Sequence, residues 1–270
     1  MEAPQLHASP LEENAASAGK ALRQMRALLA ERPEVELSCL EDWYLLRFLR
    51  CKLYDPTQAL RLAQLYEEFV RQRGPGWRRP SRPWVRRCLT SGVLEVRARR
   101  LLLLRLGRWR PAAWQAEELL QAAGLCGEVA ALEPAAQLSG VQAVFDLRGL
   151  GLEQLRGLSP GFARTMVHYL ANCFPIRING VHVVNEPAIF GLVFSLFKSF
   201  LNERMQKRLF LHGHDMESLH SHITPDWLPP DLGGSGKETD LNEWLSYVLS
   251  QPVVLGLKKV GYVFEDDLII

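Results

Sequence analysis

Four of the chain's seven histidines, His212, His214, His220 and His222, crowd with Asp215 into the short run HGHDMESLHSH at residues 212–222. Two residues apart on a strand, His212 and His214 share a face, and three imidazoles with a carboxylate are a set that holds zinc. A metal-dependent enzyme using residues 212–222 is therefore the alternative this chain offers outside the binding proteins. The HExxH spacing of helical zinc sites is absent, as are GxSxG, GxGxxG and GxxxxGK[ST]. The five cysteines, Cys39, Cys51, Cys88, Cys126 and Cys173, are odd in number and lack CxxC spacing. They read as reduced thiols rather than a disulfide framework or a thiolate metal site. A non-enzymatic protein without metal or cofactor is the expectation.

Charge and grease carry the stronger signal. Residues 47–110 hold 17 Lys and Arg against the four acids Asp55, Glu67, Glu68 and Glu95, although the whole chain carries only +2. Such asymmetry points to an anionic partner. Trp77, Trp84 and Trp109 lie within that block and could stack on bases, but they sit beside prolines and amphipathic helices, so no nucleic-acid partner is expected. Further on, the spacing predicts a helix after Pro187, with Asn185 or Glu186 as its cap. At ~100° per residue, Ile189, Val193, Leu196 and Phe200 form one apolar stripe. Phe190, Phe194, Phe197 and Leu201 form a second beside it, while Ser195, Lys198, Ser199 and Asn202 fall opposite. Arg204, Lys207 and Arg208 follow at once. A core helix of a large domain fits these residues as well as a lid over a hydrophobic cavity that opens at a membrane.

The elements that must position these groups can be read along the chain. With 270 residues, 47% hydrophobic and 23% charged, there is material for one large core and a small satellite domain. No window approaches a membrane span and the start lacks a leader pattern, so a cytosolic protein that meets membranes peripherally is expected. Residues 1–14 read as disordered. Helices are predicted over 15–31, 40–53 and 56–73, the last capped by Asp55-Pro56, and 74–83 is turn-rich. These define an N-terminal helical domain, 15–82. Strands are predicted at 101–106, 141–147 and 181–184, and helices at 113–132, 160–173 and 240–249. Interleaving of this kind implies an α/β domain, 83–250, with a largely parallel or mixed sheet. The tail 251–270 alternates apolar residues before an acidic Glu265-Asp266-Asp267, which suits an extra strand or a partner-binding peptide.

Four segments, LLRFLR at 45–50, FPIRINGVHVVNEP at 174–187, FSLFKSFLNERMQKRLFLHG at 194–213 and LPPDLGG at 228–234, occur in the order and spacing that resemble the CRAL-TRIO lipid-transfer family. The likeness is greatest to its tocopherol-binding branch and covers about residues 40–250. It implies a CRAL-TRIO-like mixed sheet flanked by helices, enclosing a hydrophobic pocket under a helical lid. The ligand-lining positions it implies are Leu104, Leu120, Ala123, Val141, Phe145, Leu158, Met166, Leu170, Ile176, Ile178 and Val181, closed by Phe190 and Phe194. The lid would be Ile189, Val193, Leu196, Phe197 and Phe200. The family's phosphoinositide-binding patch maps onto Lys52, Arg177, Arg204 and Arg208, with Asn179 where a fifth base stands in relatives. Ala123 and Gly127 replace small hydroxyl side chains near the ligand head group. The implied activity is cytoplasmic binding and intermembrane transfer of a small hydrophobic lipid, tocopherol (vitamin E) or a related isoprenoid, with release promoted by phosphoinositide-containing membranes. A retinoid or phospholipid carrier is the alternative within the family.

Overall fold

The computed structural model describes residues 13–97, 100–237 and 240–264. The predicted N-terminal segment 1–14, apart from its last two residues, and the acidic Glu265, Asp266 and Asp267 lie outside the described residues.

Side-chain caps start the first helices where the sequence places them. Asn14 Oδ1 accepts from the Ala16 and Ser17 amides ahead of α1 (Ala15–Ala30), and Asp55 Oδ1 accepts from Gln58 N at 2.9 Å ahead of α3 (Pro56–Arg73). Pro56 occupies the first turn of α3, where its missing N–H costs nothing. Between them runs α2 (Asp42–Cys51), and α4 (Arg82–Thr90) completes the N-terminal set.

A five-stranded sheet follows among the described residues, in the order β1 (Leu94–Arg97), β2 (Leu101–Arg105), β3 (Val141–Asp146), β4 (Ile178–Val184), β5 (Leu209–Leu211). The β1–β2 pair is antiparallel and the remaining pairs are parallel, so the sheet is mixed. The helices joining and flanking it are α5 (Ala116–Ala131), α6 (Pro134–Ser139), α7 (Leu152–Arg156), α8 (Pro160–His168), α9 (Phe190–Lys198), α10 (Glu203–Gln206), α11 (Met216–His220), α12 (Leu241–Val248) and α13 (Gln251–Lys259). α8 runs straight into a π-turn, Tyr169–Cys173.

Strand alternation gives the sheet two unlike faces. Leu102, Ala143, Val181 and Leu209 are cross-strand partners on one face, and Leu103, Val144, His182 and Phe210 are partners on the other. On the second face Leu101, Leu103, Val144 and Val184 pack with Leu219, Ile223, Leu228 and Leu232 from the segment after β5. The first face looks toward α5, α8 and α9.

The N-terminal helices share one hydrophobic core with α5, α12 and α13. At its centre the fully buried Arg47 donates to Glu128 on α5 at 2.8 Å, and Tyr66 on α3 donates to the same carboxylate at 2.5 Å. Arg78 reaches Tyr66 Oη at 2.9 Å. The basic block at 47–110 is therefore only partly a surface feature: Arg47, Arg50, Arg78, Arg97 and Arg105 are buried. The tail also departs from its expected form. Val253, Val254 and Leu257 turn into the core from α13, and Val260, Tyr262 and Phe264 follow them in. Pro252 in the first turn and the 3–4 spacing of the apolar residues make this a helix rather than a strand.

Candidate functional site

Between the first sheet face, α5, α8 with its π-turn and the α9–α10 segment lies a cavity of about 220 Å³. Strand pleating aims Leu102, Leu104, Ala143, Phe145, Val181 and Val183 into it. On α5, Leu119, Leu120, Ala123, Cys126, Gly127 and Ala130 repeat at three and four residues and so present one face to it. Apart from Arg100 and Gln142 at one end, the lining is hydrocarbon, sulfur and aromatic rings. Such a wall takes an apolar guest and offers few partners to a polar one.

Among the expected lining residues, Leu104, Leu120, Ala123, Val141, Phe145, Leu158, Met166, Leu170, Ile178, Val181, Phe190 and Phe194 all border the cavity. Ile176 does not. It is 2% exposed and packs into the helical core just before β4 begins. The sequence pattern does not mark several other lining residues, including Trp109, Phe162, Tyr169, Phe174, Met205 and Leu209. For α5 the missing members follow from its period; for Tyr169 no sequence signal exists, because the π-turn shifts its register relative to α8.

The helix over the cavity begins at Phe190, three residues after Pro187, and no side chain caps it. Asn185 acts elsewhere. At φ 56° it turns the chain out of β4 and donates from Nδ2 to Asp146 Oδ1 at 2.9 Å. With this start, Phe190, Val193, Phe194, Phe197 and Leu201 face inward, and the rings of Phe190 and Phe194 stack at 5.5 Å. Val193, expected in one stripe with Ile189, Leu196 and Phe200, instead turns in with Phe190 and Phe194: it is 5% exposed and lines the cavity. Leu192, 61% exposed, takes its place beside the partly exposed Ile189 and Leu196. Phe200 leaves the cavity for a separate polar groove with Phe69, Arg73, Arg164 and His168.

Gly127 fixes the shape of one wall. A Cβ there would lie 2.2 Å from Phe174 Cζ, so no hydroxyl side chain fits without displacing that ring.

The four expected cations converge. Burial pushes the Cys51 thiol up, while Lys52, Arg177, Arg204 and Arg208, all close enough to act on it, pull it back. Burial together with Arg204 and Arg177 holds the Arg208 guanidinium below its ordinary value. Arg208 is anchored by donating to Ile178 O at 2.7 Å, and Arg177 by donating to Leu138 O. Asn179 donates to Ser139 O at 2.7 Å. Among the described residues none of the four cations forms an ion pair with a carboxylate.

Only part of the predicted histidine set gathers: His212 and His222 lie with rings 5.7 Å apart, each 5.3 Å from His182, while His214 and His220 turn to other partners. His214 meets Asn185 at 3.2 Å, His220 donates to Leu232 O at 2.9 Å, and Asp215 caps α11 through Ser218 N. His212 joins His182, which no sequence motif marks, in a directed chain on the second sheet face. Gln142 Oε1 can only accept, so His182 donates from Nε2 at 2.6 Å; His182 Nδ1 then accepts from His212 Nε2 at 3.0 Å. His212 Nδ1 is left to accept from Ser218 Oγ at 2.8 Å. Burial, with His212 and His222 nearby, pushes His182 down to about 3, so the chain is neutral. Among the described residues no group of three or more His, Cys, Asp or Glu is arranged to hold a metal ion, and the metal-dependent alternative loses its basis. Among the same residues no helix is long and apolar enough to cross a membrane.

Comparison with known proteins agrees with this architecture. Residues 92–234 match the model of the CRAL/TRIO domain. The chain is 34% identical over 237 residues to a Mus musculus protein named alpha-tocopherol transfer protein-like, covering 86% of this chain and 68% of that one. It is 30% identical over 247 residues to clavesin-1 of Rattus norvegicus, covering 88% and 70% respectively. Among solved structures, that of Sfh5 superimposes with a TM-score of 0.53 at 13% identity, over 86% of this chain and 92% of that one, a likeness of fold. With the matched domain spanning the sheet, the cavity and the lid, the chain belongs to the CRAL-TRIO family of lipid-binding and transfer proteins.

Proposed function

We propose that this protein, acting without catalysis, carries one small hydrophobic lipid, tocopherol or a related isoprenoid, in the cavity beneath α9. It exchanges that lipid with membranes, and phosphoinositides at the Lys52, Arg177, Arg204 and Arg208 patch promote release. The observation that carries this reading is the continuity of cavity, lid and patch: the helix that closes the apolar chamber leads through Leu201 and Met205, both on its wall, to Arg204 and Arg208. Withdrawing a few hundred Å² of ligand hydrocarbon from water is worth on the order of 10 kcal/mol before binding losses. That is enough to hold a lipid tightly and too much to release it into water unaided. Exchange therefore needs a second state in which the cavity meets the bilayer. Phosphate oxygens bridging Arg204 and Arg208 would favour that state if they bind it better than the closed one.

The absence of hydroxyls at Ala123 and Gly127 supports an isoprenoid held by shape rather than by head-group hydrogen bonds. Likeness to a protein named alpha-tocopherol transfer protein-like supports the same chemical class. Solvent extraction of the purified protein followed by mass spectrometry tests this directly. One isoprenoid per chain is the expected result; a stoichiometric retinoid or phospholipid replaces the ligand assignment, and a chain that takes up no lipid overturns it.

A further inference from the structure

The turn from α2 into α3 holds two consecutive non-glycine residues in the left-handed region, Leu53 at φ 51° and Tyr54 at φ 64°. A bulky apolar side chain seldom adopts this backbone, and strain of this kind persists only where its surroundings over-determine it. Those surroundings are visible. Lys52 N donates to Phe48 O at 3.0 Å, Tyr54 N to Leu49 O at 2.7 Å and Asp55 N to Lys52 O at 3.1 Å. Tyr54 Oη donates to Glu13 Oε1 at 2.7 Å, and Arg50 grips the same carboxylate from Nε and Nη2 at 2.9 and 2.6 Å. Every neighbour is tied down, yet Leu53 itself is 71% exposed, the most exposed large hydrophobic side chain among the described residues. The residue before it, Lys52, belongs to the four cations around Cys51.

We propose that Leu53 is a membrane anchor, held outward by the strained turn so that it enters the acyl boundary when the adjoining cations bind phosphorylated lipid head groups. The proposal rests on the phosphoinositide reading of that patch and adds to it a fixed apolar contact separate from the lid. Charge selects the surface; an adjoining leucine converts an electrostatic encounter into a partly buried one. The partner is a lipid bilayer carrying multiply phosphorylated inositol head groups, because among the described residues the cations have no carboxylate partners of their own and the anchor is one side chain wide.

The test compares wild type with Leu53→Asn on phosphatidylcholine vesicles with and without a few per cent of phosphatidylinositol bisphosphate, and on soluble inositol trisphosphate. Asparagine tolerates the left-handed backbone, so the variant folds with unchanged or higher thermal stability. Vesicle binding is expected to weaken roughly fivefold to tenfold, while binding of inositol trisphosphate stays the same. A Leu53→Trp variant gains fluorescence quenching by brominated acyl chains, relative to wild type, on the phosphoinositide vesicles. Undiminished vesicle binding by Leu53→Asn overturns the proposal, and so does equal loss toward vesicles and inositol trisphosphate, which would make Leu53 a support of the patch. If wild type binds both vesicle types alike, the head-group reading fails, and the Leu53→Asn comparison on the same vesicles still decides the anchor.

Discussion

Ala123 and Gly127 lie four residues apart on the cavity face of α5, but they tolerate change differently. At Gly127 a side chain meets Phe174 at once, so Gly127→Ser is expected to destabilise the fold by about 1–3 kcal/mol in chemical denaturation. Ala123 borders open cavity, so Ala123→Ser should leave stability nearly unchanged and strengthen tocopherol binding several-fold in a competition assay. Across the sheet, His182 makes stability depend on acid. Its folded value of about 3 lies below the ordinary 6.5, so below pH 6.5 the unfolded chain takes up a proton that the native chain resists. The contribution is complete above pH 6.5 and is lost as pH falls from there toward 3, by at most ~1.4 kcal/mol per pH unit. Denaturation midpoints measured between pH 7 and 5 should fall in wild type and fall less in His182→Gln, where burial still holds His212 and His222 below their ordinary value.

At the scale of elements, α9 has two sides with separable work. Phe190→Asp sets a carboxylate against the cavity and should abolish retention of lipid; Leu192→Asp charges only the outer stripe and should leave lipid bound while slowing transfer between liposomes about tenfold or more. Loss of retention in both variants, or in neither, would contradict this division. Much of the frame was legible because its signals are local: Asp55-Pro56 and Ser159-Pro160 open helices, and the short apolar runs at 141–147 and 181–184 suit buried strands, the second of which extends back to Ile178. β1 was not legible. Its Glu95 and Arg97 look like surface residues until Arg105 and the Trp227 carbonyl, 10 and 130 residues away, provide their partners. The lid's existence was readable, but its register was not, since a helix apolar over most of its circumference leaves the inward side to be chosen by what it packs against. For that reason Val193 turned inward and Leu192, in neither predicted stripe, turned outward.

For the molecule as a whole, the patch and the cavity make one device only if charge on the surface alters lipid exchange inside. Each base near an anionic bilayer is worth about 1 kcal/mol, so replacing Arg204 and Arg208 together with glutamine should lower the stimulation of transfer by phosphoinositide vesicles roughly thirtyfold. Transfer between phosphatidylcholine vesicles should stay near its basal rate, and an unchanged stimulation would sink the coupling. The helices that precede the sheet take part in this machine through Glu128. Its carboxylate sits on the cavity helix α5 while two of its hydrogen-bond donors, Arg47 and Tyr66, come from α2 and α3. A fragment trimmed to residues 92–234, tempting because it holds the recognisable domain, would strip Glu128 of these donors and bare to water the apolar face of α5 that packs against those helices. Such a truncate, which also lacks α12 and α13 from the same core, should emerge from expression aggregated or molten, and a fragment 92–264 co-expressed with residues 13–91 as a separate polypeptide is the way to rescue it.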